Sequence, residues 1–298
     1  MGRDAFEASP AARAVFEAAD EALGLSLSKL CFEGPEDELR RTEIQQPAIL
    51  TTSIALLRAL EEQGPVEAAY VGGHSLGEYS ALVASGALAF EDAVRTVNVR
   101  GRLMQEAVAE GRGAMAAVMG AAPEVVAQAC EAAAAESGGV VSPANYNSPQ
   151  QTVIAGDAAA VEAACAHAGE LGAKRSVKLP VSAPFHCSLM APAAERLRPV
   201  LDDLQFAPPR PPVVTNVEAE LNEDPGRIAD LLEQQVTAPV RFTEMIQKLG
   251  ALGVTHFLEV GPGRVLSGLL ARIERRSKRA NVGTLGDLEA AREFIGEA

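Results

Sequence analysis

The chain has 298 residues, 48% of them hydrophobic, enough to bury a substantial core as one large domain or two. Its formal net charge of −14 argues against general nucleic-acid binding. No apolar run reaches the length of a membrane span, and Met1-Gly2-Arg3-Asp4 opens no apolar signal segment, so no membrane association is expected. The four cysteines (Cys31, Cys130, Cys165, Cys187) lack C-x-x-C spacing, and His74, His167, His186 and His256 lack metal spacing. No disulfide, metal site or cofactor is therefore expected, and a reducing cytoplasm fits.

Ser9-Pro10 reads as an N-cap followed by proline at the first helical position, opening a helix to about Leu23. Gln46-Pro47 starts a second, with Ile49, Leu50, Ile54, Leu57 and Leu60 on one stripe. A short apolar run ending at Val71 meets Gly72-Gly73-His74-Ser75-Leu76-Gly77-Glu78, and a helix is expected over Ala81–Ala89. A long helix, Phe90 to Glu110, carries Arg100 and ends at Gly111-Arg112-Gly113.

The pattern then changes. Ala114–Met119 reads as strand, Pro123–Glu136 as helix and Val140–Asn145 as strand; after a polar turn, Tyr146–Gln150, come strand Gln151–Ala155, helix Ala158–Leu171 and strand Lys174–Leu179. The order β-α-β-β-α-β is that of a ferredoxin-like unit. Beyond it, helices near Ser188–Asp202, Pro225–Val236 and Phe242–Leu252 alternate with strands Val213–Val217 and Thr255–Val260, and a helix follows from Val265 to about Arg275. Alternation of this kind predicts a mainly parallel sheet covered on both faces. The expected fold is α/β: a large α/β-hydrolase-like domain formed by residues 1–112 and 182–298, with a ferredoxin-like small domain inserted at 113–181.

The segment around Ser75 has the strand, sharp turn and helix of a nucleophile elbow, with Gly73 and Gly77 leaving room for close helix–strand packing. The new helix offers unpaired N–H groups and the positive end of its dipole to an oxyanion. Ser75-Leu76-Gly77-Glu78 is also S-x-x-E, a helix capping box, which is the plainer reading. An activated serine needs a base. His186 lies in Leu179-Pro180-Val181-Ser182-Ala183-Pro184-Phe185-His186-Cys187, at the return from the inserted unit, where clefts form. His74 adjoins the serine but should diverge from it and support the turn; Cys187 reads as filler. Arg100 is either a solvated arginine or a guanidinium fork for a substrate carboxylate. Residues alone leave that open.

Gly73-His74-Ser75-Leu76-Gly77-Glu78-Tyr79-Ser80, Val99-Arg100-Gly101, Asn145-Tyr146-Asn147-Ser148-Pro149, Pro184-Phe185-His186 and Glu259-Val260-Gly261-Pro262-Gly263 occur in one order. Over nearly its whole length the chain resembles the bacterial malonyl-CoA:acyl-carrier-protein transacylases of fatty-acid and polyketide synthesis. The resemblance implies malonyl-CoA and a phosphopantetheinylated acyl carrier protein as partners, a monomer, and a ping-pong reaction through a malonyl-serine. It implies Ser75 as nucleophile, His186 as general base and then acid, and Arg100 as the grip on the malonyl carboxylate. Further, it implies the N–H of Leu76 as an oxyanion donor and the main-chain carbonyl of Gln235 as the group orienting the histidine. His74, Asn145 and Asn147 match positions lining the substrate cleft. Phe185, with Leu76, matches the pattern that excludes an α-methyl group, so malonyl is expected over methylmalonyl.

The family usually begins with a strand and a glutamine-bearing loop that supplies a second oxyanion N–H; Met1 aligns just after that loop, and a longer natural protein is expected. An acidic carrier protein docking on an acidic chain needs a local basic patch. Candidates are Lys174, Arg175 and Lys178, or Arg272, Arg275, Arg276, Lys278 and Arg279. The rival readings are a serine esterase or thioesterase, which should carry an acid between serine and histidine, and a truncated, inactive scaffold that binds carrier protein.

Overall fold

The computed structural model of the chain describes residues 1–181 and 183–298. Ser182, where the second part of the large unit was expected to begin, lies outside the described residues. In chain order the strands are β1 (Val71–Gly72), β2 (Gly113–Met119), β3 (Val141–Ser148), β4 (Gln151–Asp157), β5 (Arg175–Lys178), β6 (Val213–Val214), β7 (Leu221–Asn222), β8 (His256–Val260) and β9 (Lys278–Val282). The fold is mixed α/β.

Helices Pro10–Leu23, Thr42–Glu61, Leu76–Ala84, Phe90–Glu106, Ala191–Asp202 and Ile228–Thr237 enclose the principal core. Phe16, Leu50, Leu56, Tyr79, Leu197 and Leu201 are fully buried there. The first of these helices starts as expected: Ser9 Oγ accepts the N–H of Ala12 behind Pro10, and Gly24 closes the end in the left-handed region at φ 63°. The second starts at Thr42, ahead of the expected Gln46, so Pro47 sits inside it. Proline has no N–H for the carbonyl of Glu43. That carbonyl accepts instead from Asn98 Nδ2 at 2.8 Å, tying this helix to Phe90–Glu106. Gly101 makes the same junction close, since a Cβ there would lie 2.5 Å from the carbonyl oxygen of Thr42.

In the inserted segment, helices Pro123–Ser137 and Ala158–Glu170 alternate with β2–β5, and the antiparallel sheet has the order β3-β4-β2-β5. Strand periodicity sorts its side chains. Ala114, Ala116, Val118 and Ile154 face the two helices, with Val126, Ala129, Ala133, Ala160 and Ala164 opposite. Met115, Ala117, Val153 and Ala155 face the other way, against Cys187 and Phe185. Alanines let the helices sit close on the sheet. The segment is joined to the rest along β3: Tyr146 N–H donates to Val240 O, and Val240 N–H to Ala144 O, both at 2.9 Å.

Several sequence expectations need correction. The strands outside the insert do not make one mainly parallel sheet among the described residues: β1 and β6 pair in parallel, β7 joins β6 antiparallel, and β8–β9 form a separate parallel pair. The first sheet is small because β1 runs straight into the elbow. β6 turns back at once through Thr215–Glu220, where Thr215 N–H donates to Glu220 O. The helix after the elbow is Leu76–Ala84, not Ala81–Ala89, and the Arg100 helix stops at Glu106. Asn145 and Asn147 lie on β3; the turn is only Pro149-Gln150. Finally, β9 and the helix Leu288–Gly296 follow the last expected element. Among the described residues no helix is long and apolar enough to cross a membrane.

Candidate active site

β1 ends at Gly72, the chain turns through Gly73 and His74, and Ser75 takes φ 51°, ψ −104° before the helix begins at Leu76. A non-glycine residue held there stores about 1–3 kcal/mol of strain. Asn216, fully buried just after β6, clamps it: its Oδ1 accepts the Ser75 N–H at 2.6 Å, and its Nδ2 donates to Gly73 O at 2.7 Å. A Cβ on Gly73 would lie 2.3 Å from the backbone of Gly77, so the turn closes only on glycine at 73. Gly77 itself has open space where a Cβ would stand, so the close approach is made by Gly73 alone, not by both glycines as the sequence suggested.

Ser75 occupies the N-cap position, yet its side chain caps nothing. The capping-box reading is excluded. Ser75 Oγ lies 2.8 Å from His186 Nε2 and accepts from Arg100 Nη2 at 3.1 Å. Leu76, the first helical residue, has an N–H with no carbonyl one turn earlier to receive it.

His186 is 4% exposed and also has a positive φ, 60°. Its Nδ1 lies 2.8 Å from the carbonyl oxygen of Gln235. That contact puts the proton on Nδ1, leaving Nε2 to accept from the serine hydroxyl. Burial, followed by the positive charge of Arg100, pushes the imidazole down to about 3, so it rests neutral. The orienting group is a backbone carbonyl, and no buried acid is required in that place.

Arg100 is 1% exposed. Nη1 donates to Gln46 Oε1 at 2.6 Å, Nη2 also donates to Gln235 Oε1 at 2.8 Å, and the guanidinium stands 5.6 Å from the centre of the Tyr79 ring. Its Nε has no hydrogen-bond partner among the described residues. The Gln235 amide is oriented without ambiguity, because its NH₂ donates to Glu78 Oε2 at 2.6 Å and to Ser75 O at 3.1 Å. A neutral amide thus bridges a buried cation and a buried carboxyl.

The insert side contributes Asn147, whose Oδ1 lies 2.8 Å from His74 Nε2. His74 leans on Phe242 at 5.5 Å between ring centres, and burial lowers its pKa. It diverges from Ser75 and fastens the turn to β3. Asn145 is 7% exposed, and its backbone pairs with Val240. Phe185 is half-buried between the principal core and the inner face of the inserted sheet. Cys187 Sγ donates to Pro184 O at 3.1 Å, and burial pushes its thiol up to about 11.

The acyl transferase domain model matches residues 1–287. The chain belongs to the acyl transferase family. It is 48% identical over 297 residues to the malonyl CoA-acyl carrier protein transacylase of Bacillus subtilis strain 168, covering 100% of this chain and 93% of that one. The protein of the same name from Escherichia coli K12 is 49% identical over 264 residues, covering 89% and 85%. The acyl carrier protein S-malonyltransferase structure of Vibrio cholerae O1 biovar eltor superposes with TM-score 0.95 at 44% identity, covering 98% and 94%. A malonyl-transacylase solved in complex with its type II PKS acyl-carrier protein gives 0.95 at 44%, also covering 98% and 94%.

For an acyl transferase the geometry adds three residues that sequence reading missed: Gln46, Glu78 and Asn216. Gln46 left a faint signal, a polar side chain on an otherwise apolar helix face. Glu78 was hidden in the S-x-x-E string. Asn216 carried none, because its role depends on the turn of β6 beside the elbow.

Proposed function

We infer that the chain transfers a malonyl group from malonyl-CoA to the phosphopantetheine thiol of an acyl carrier protein. The observation that carries the reading is the meeting of His186 Nε2 and Arg100 Nη2 on one oxygen, Ser75 Oγ. His186 removes the hydroxyl proton as Ser75 attacks the thioester carbonyl, and the Gln235 carbonyl stabilises the imidazolium that forms. The Leu76 N–H, at the positive end of its helix, stabilises the oxyanion. His186 returns the proton to the CoA thiolate, leaving a malonyl-serine ester. The carrier thiol attacks that ester with the same groups reversed.

Arg100, whose Nη2 already reaches Ser75 Oγ, takes the free carboxylate of the malonyl group. This pairing also activates the base. The Arg100 charge helps hold the imidazole down, so a carboxylate arriving on Arg100 raises the basicity of His186 when substrate is in place. Phe185 forms a wall against α-substituents, His74 and Asn147 hold the insert against the elbow, and Asn145 lines the cleft from β3. We read residues 1–112 with 182–298 as an α/β-hydrolase-like unit, supported by the strand–elbow–helix. Residues 113–181 form an inserted ferredoxin-like unit, supported by the order β3-β4-β2-β5. A monomer in the reducing cytoplasm suits four free cysteines and a CoA substrate.

The test is intact-mass analysis after incubation with malonyl-CoA. The expected result is one malonyl adduct on Ser75 that a holo carrier protein discharges as malonyl thioester. Release of free malonate instead indicates an esterase or thioesterase, and no adduct indicates an inactive carrier-binding scaffold.

A further inference from the structure

Glu78 is a carboxyl with no part in the scheme above, 2% exposed, directly behind the nucleophile. Its Oε2 accepts from two groups: Gln235 Nε2 at 2.6 Å and the backbone N–H of Asn216 at 3.2 Å. Each of these holds a different part of the site. Gln235 orients His186 through its carbonyl and Arg100 through its side-chain oxygen. Asn216 clamps both ends of the elbow. Beside Glu78 is a small cavity of about 10 Å³ lined by Leu82, Val213, Thr215, Asn222, Ile228 and Leu231, and Ser75 is not among its lining residues. The carboxyl therefore touches no substrate.

We propose that Glu78 is a positioning residue, a single carboxylate whose two hydrogen bonds hold the base, the arginine and the strained serine in register. The ionised form does this best, because an oxygen shared by two N–H donors is a better acceptor when charged. The groups that bear on its charge are Arg100 from the Phe90–Glu106 helix, and the Gln235 amide and Asn216 N–H from the elements facing it. Burial outweighs them and pushes the carboxyl up to about 7.

The position makes activity and stability run in opposite directions with pH. A carboxyl raised from 4.5 to about 7 in the folded chain favours the fold most at low pH, and that contribution is lost as pH rises through about 7. Positioning by the carboxylate is instead lost as pH falls through about 7. A residue that only stabilised the fold would make activity follow stability.

The inference rests on the transfer reading and is tested on the full chain with malonyl-CoA and holo carrier protein. Rates are taken per active site, counted from the malonyl-serine burst, across pH 5–9. The wild type should lose kcat on the acid side near pH 7. Glu78→Gln keeps an acceptor oxygen but cannot ionise, so that limb should vanish while kcat at pH 8 drops a few-fold. Glu78→Ala orphans both donors and should lower kcat roughly tenfold to a hundredfold at every pH. An unchanged limb in Glu78→Gln, or full kcat per counted site in Glu78→Ala, overturns the inference while the malonyl-serine still forms. A wild type that forms no ester overturns the transfer reading, and this inference with it.

Discussion

The chain contains two cores of opposite kinds. The one beneath the inserted sheet is built from Ala114, Ala116, Val118, Ile154 and the alanine faces of two helices. The one behind Ser75 is polar: Gln46, Glu78, Arg100, His186, Asn216 and Gln235 are all buried and joined by hydrogen bonds. In the first core a contact is worth its area and packing, and neighbours substitute for one another. In the second, the groups hold one another through specific hydrogen bonds, so removing one leaves buried donors or acceptors unsatisfied. Damage should therefore appear as lost stability in the first and lost chemistry in the second.

Ser75→Ala tests the polar core most severely. It removes the oxygen on which His186 and Arg100 converge and should reduce malonyl transfer by roughly 10⁴-fold or more, with no acyl adduct by mass. The folded fraction by circular dichroism should be unchanged, since Oγ caps no helix.

Arg100→Ala is next. It orphans the side-chain oxygens of Gln46 and Gln235 and removes the cation, and kcat/KM for malonyl-CoA should fall roughly 10²–10³-fold. The discriminating readout is acetyl-CoA, which has no free carboxylate and should lose far less. Removing the charge also removes a cause of the low His186 pKa, so the imidazole should titrate above its value of about 3 when followed by NMR of the ring protons. An equal loss for both acyl groups would deny Arg100 its carboxylate.

The apolar core is probed by Ile154→Ala, at a residue 1% exposed. Deleting a buried isoleucine side chain to Cβ should cost about 3 kcal/mol of stability in urea. The kcat per folded molecule should stay within twofold. A large fall in kcat would mean that the two cores are coupled through β3 and the His74–Asn147 contact.

The same contrast explains what the sequence made legible. The stretch from Gly113 to Lys178 could be read nearly element by element, because strand and helix periodicities are local and β2–β5 pair with one another. Ser75 and His186 could be singled out because the elbow and the proline-bounded junction are local signals. Gln46, Glu78 and Asn216 could not. Gln46 meets Arg100 only because Pro47 and Gly101 bring two helices close, and Asn216 reaches Ser75 from far along the chain. The large-unit sheet was overcalled because alternation of strands and helices does not reveal that β1 and β6 are two residues long.

The smallest expected effect lies on the surface of the insert. Lys174, just before β5, and Arg175 and Lys178 on it are exposed at an edge strand, and none is in an ion pair among the described residues. The C-terminal basic cluster is partly engaged within the chain: Lys278 pairs with Glu297 at 2.9 Å, and Arg279 donates to the carbonyls of Glu274 and Ser277. Charges on an edge strand also discourage pairing with another sheet, which is the plainer account of β5. Docking of an acidic carrier protein adds a consequence that edge protection does not. Reversing Lys174 and Arg175 to glutamate should raise the carrier-protein KM about threefold to tenfold at low salt, and the difference should shrink in 0.5 M salt as the charges are screened. Transfer to free pantetheine should not change, because β5 carries none of the groups gathered around Ser75. An unaltered carrier KM would leave β5 with edge protection alone and move the docking surface elsewhere on an otherwise acidic molecule.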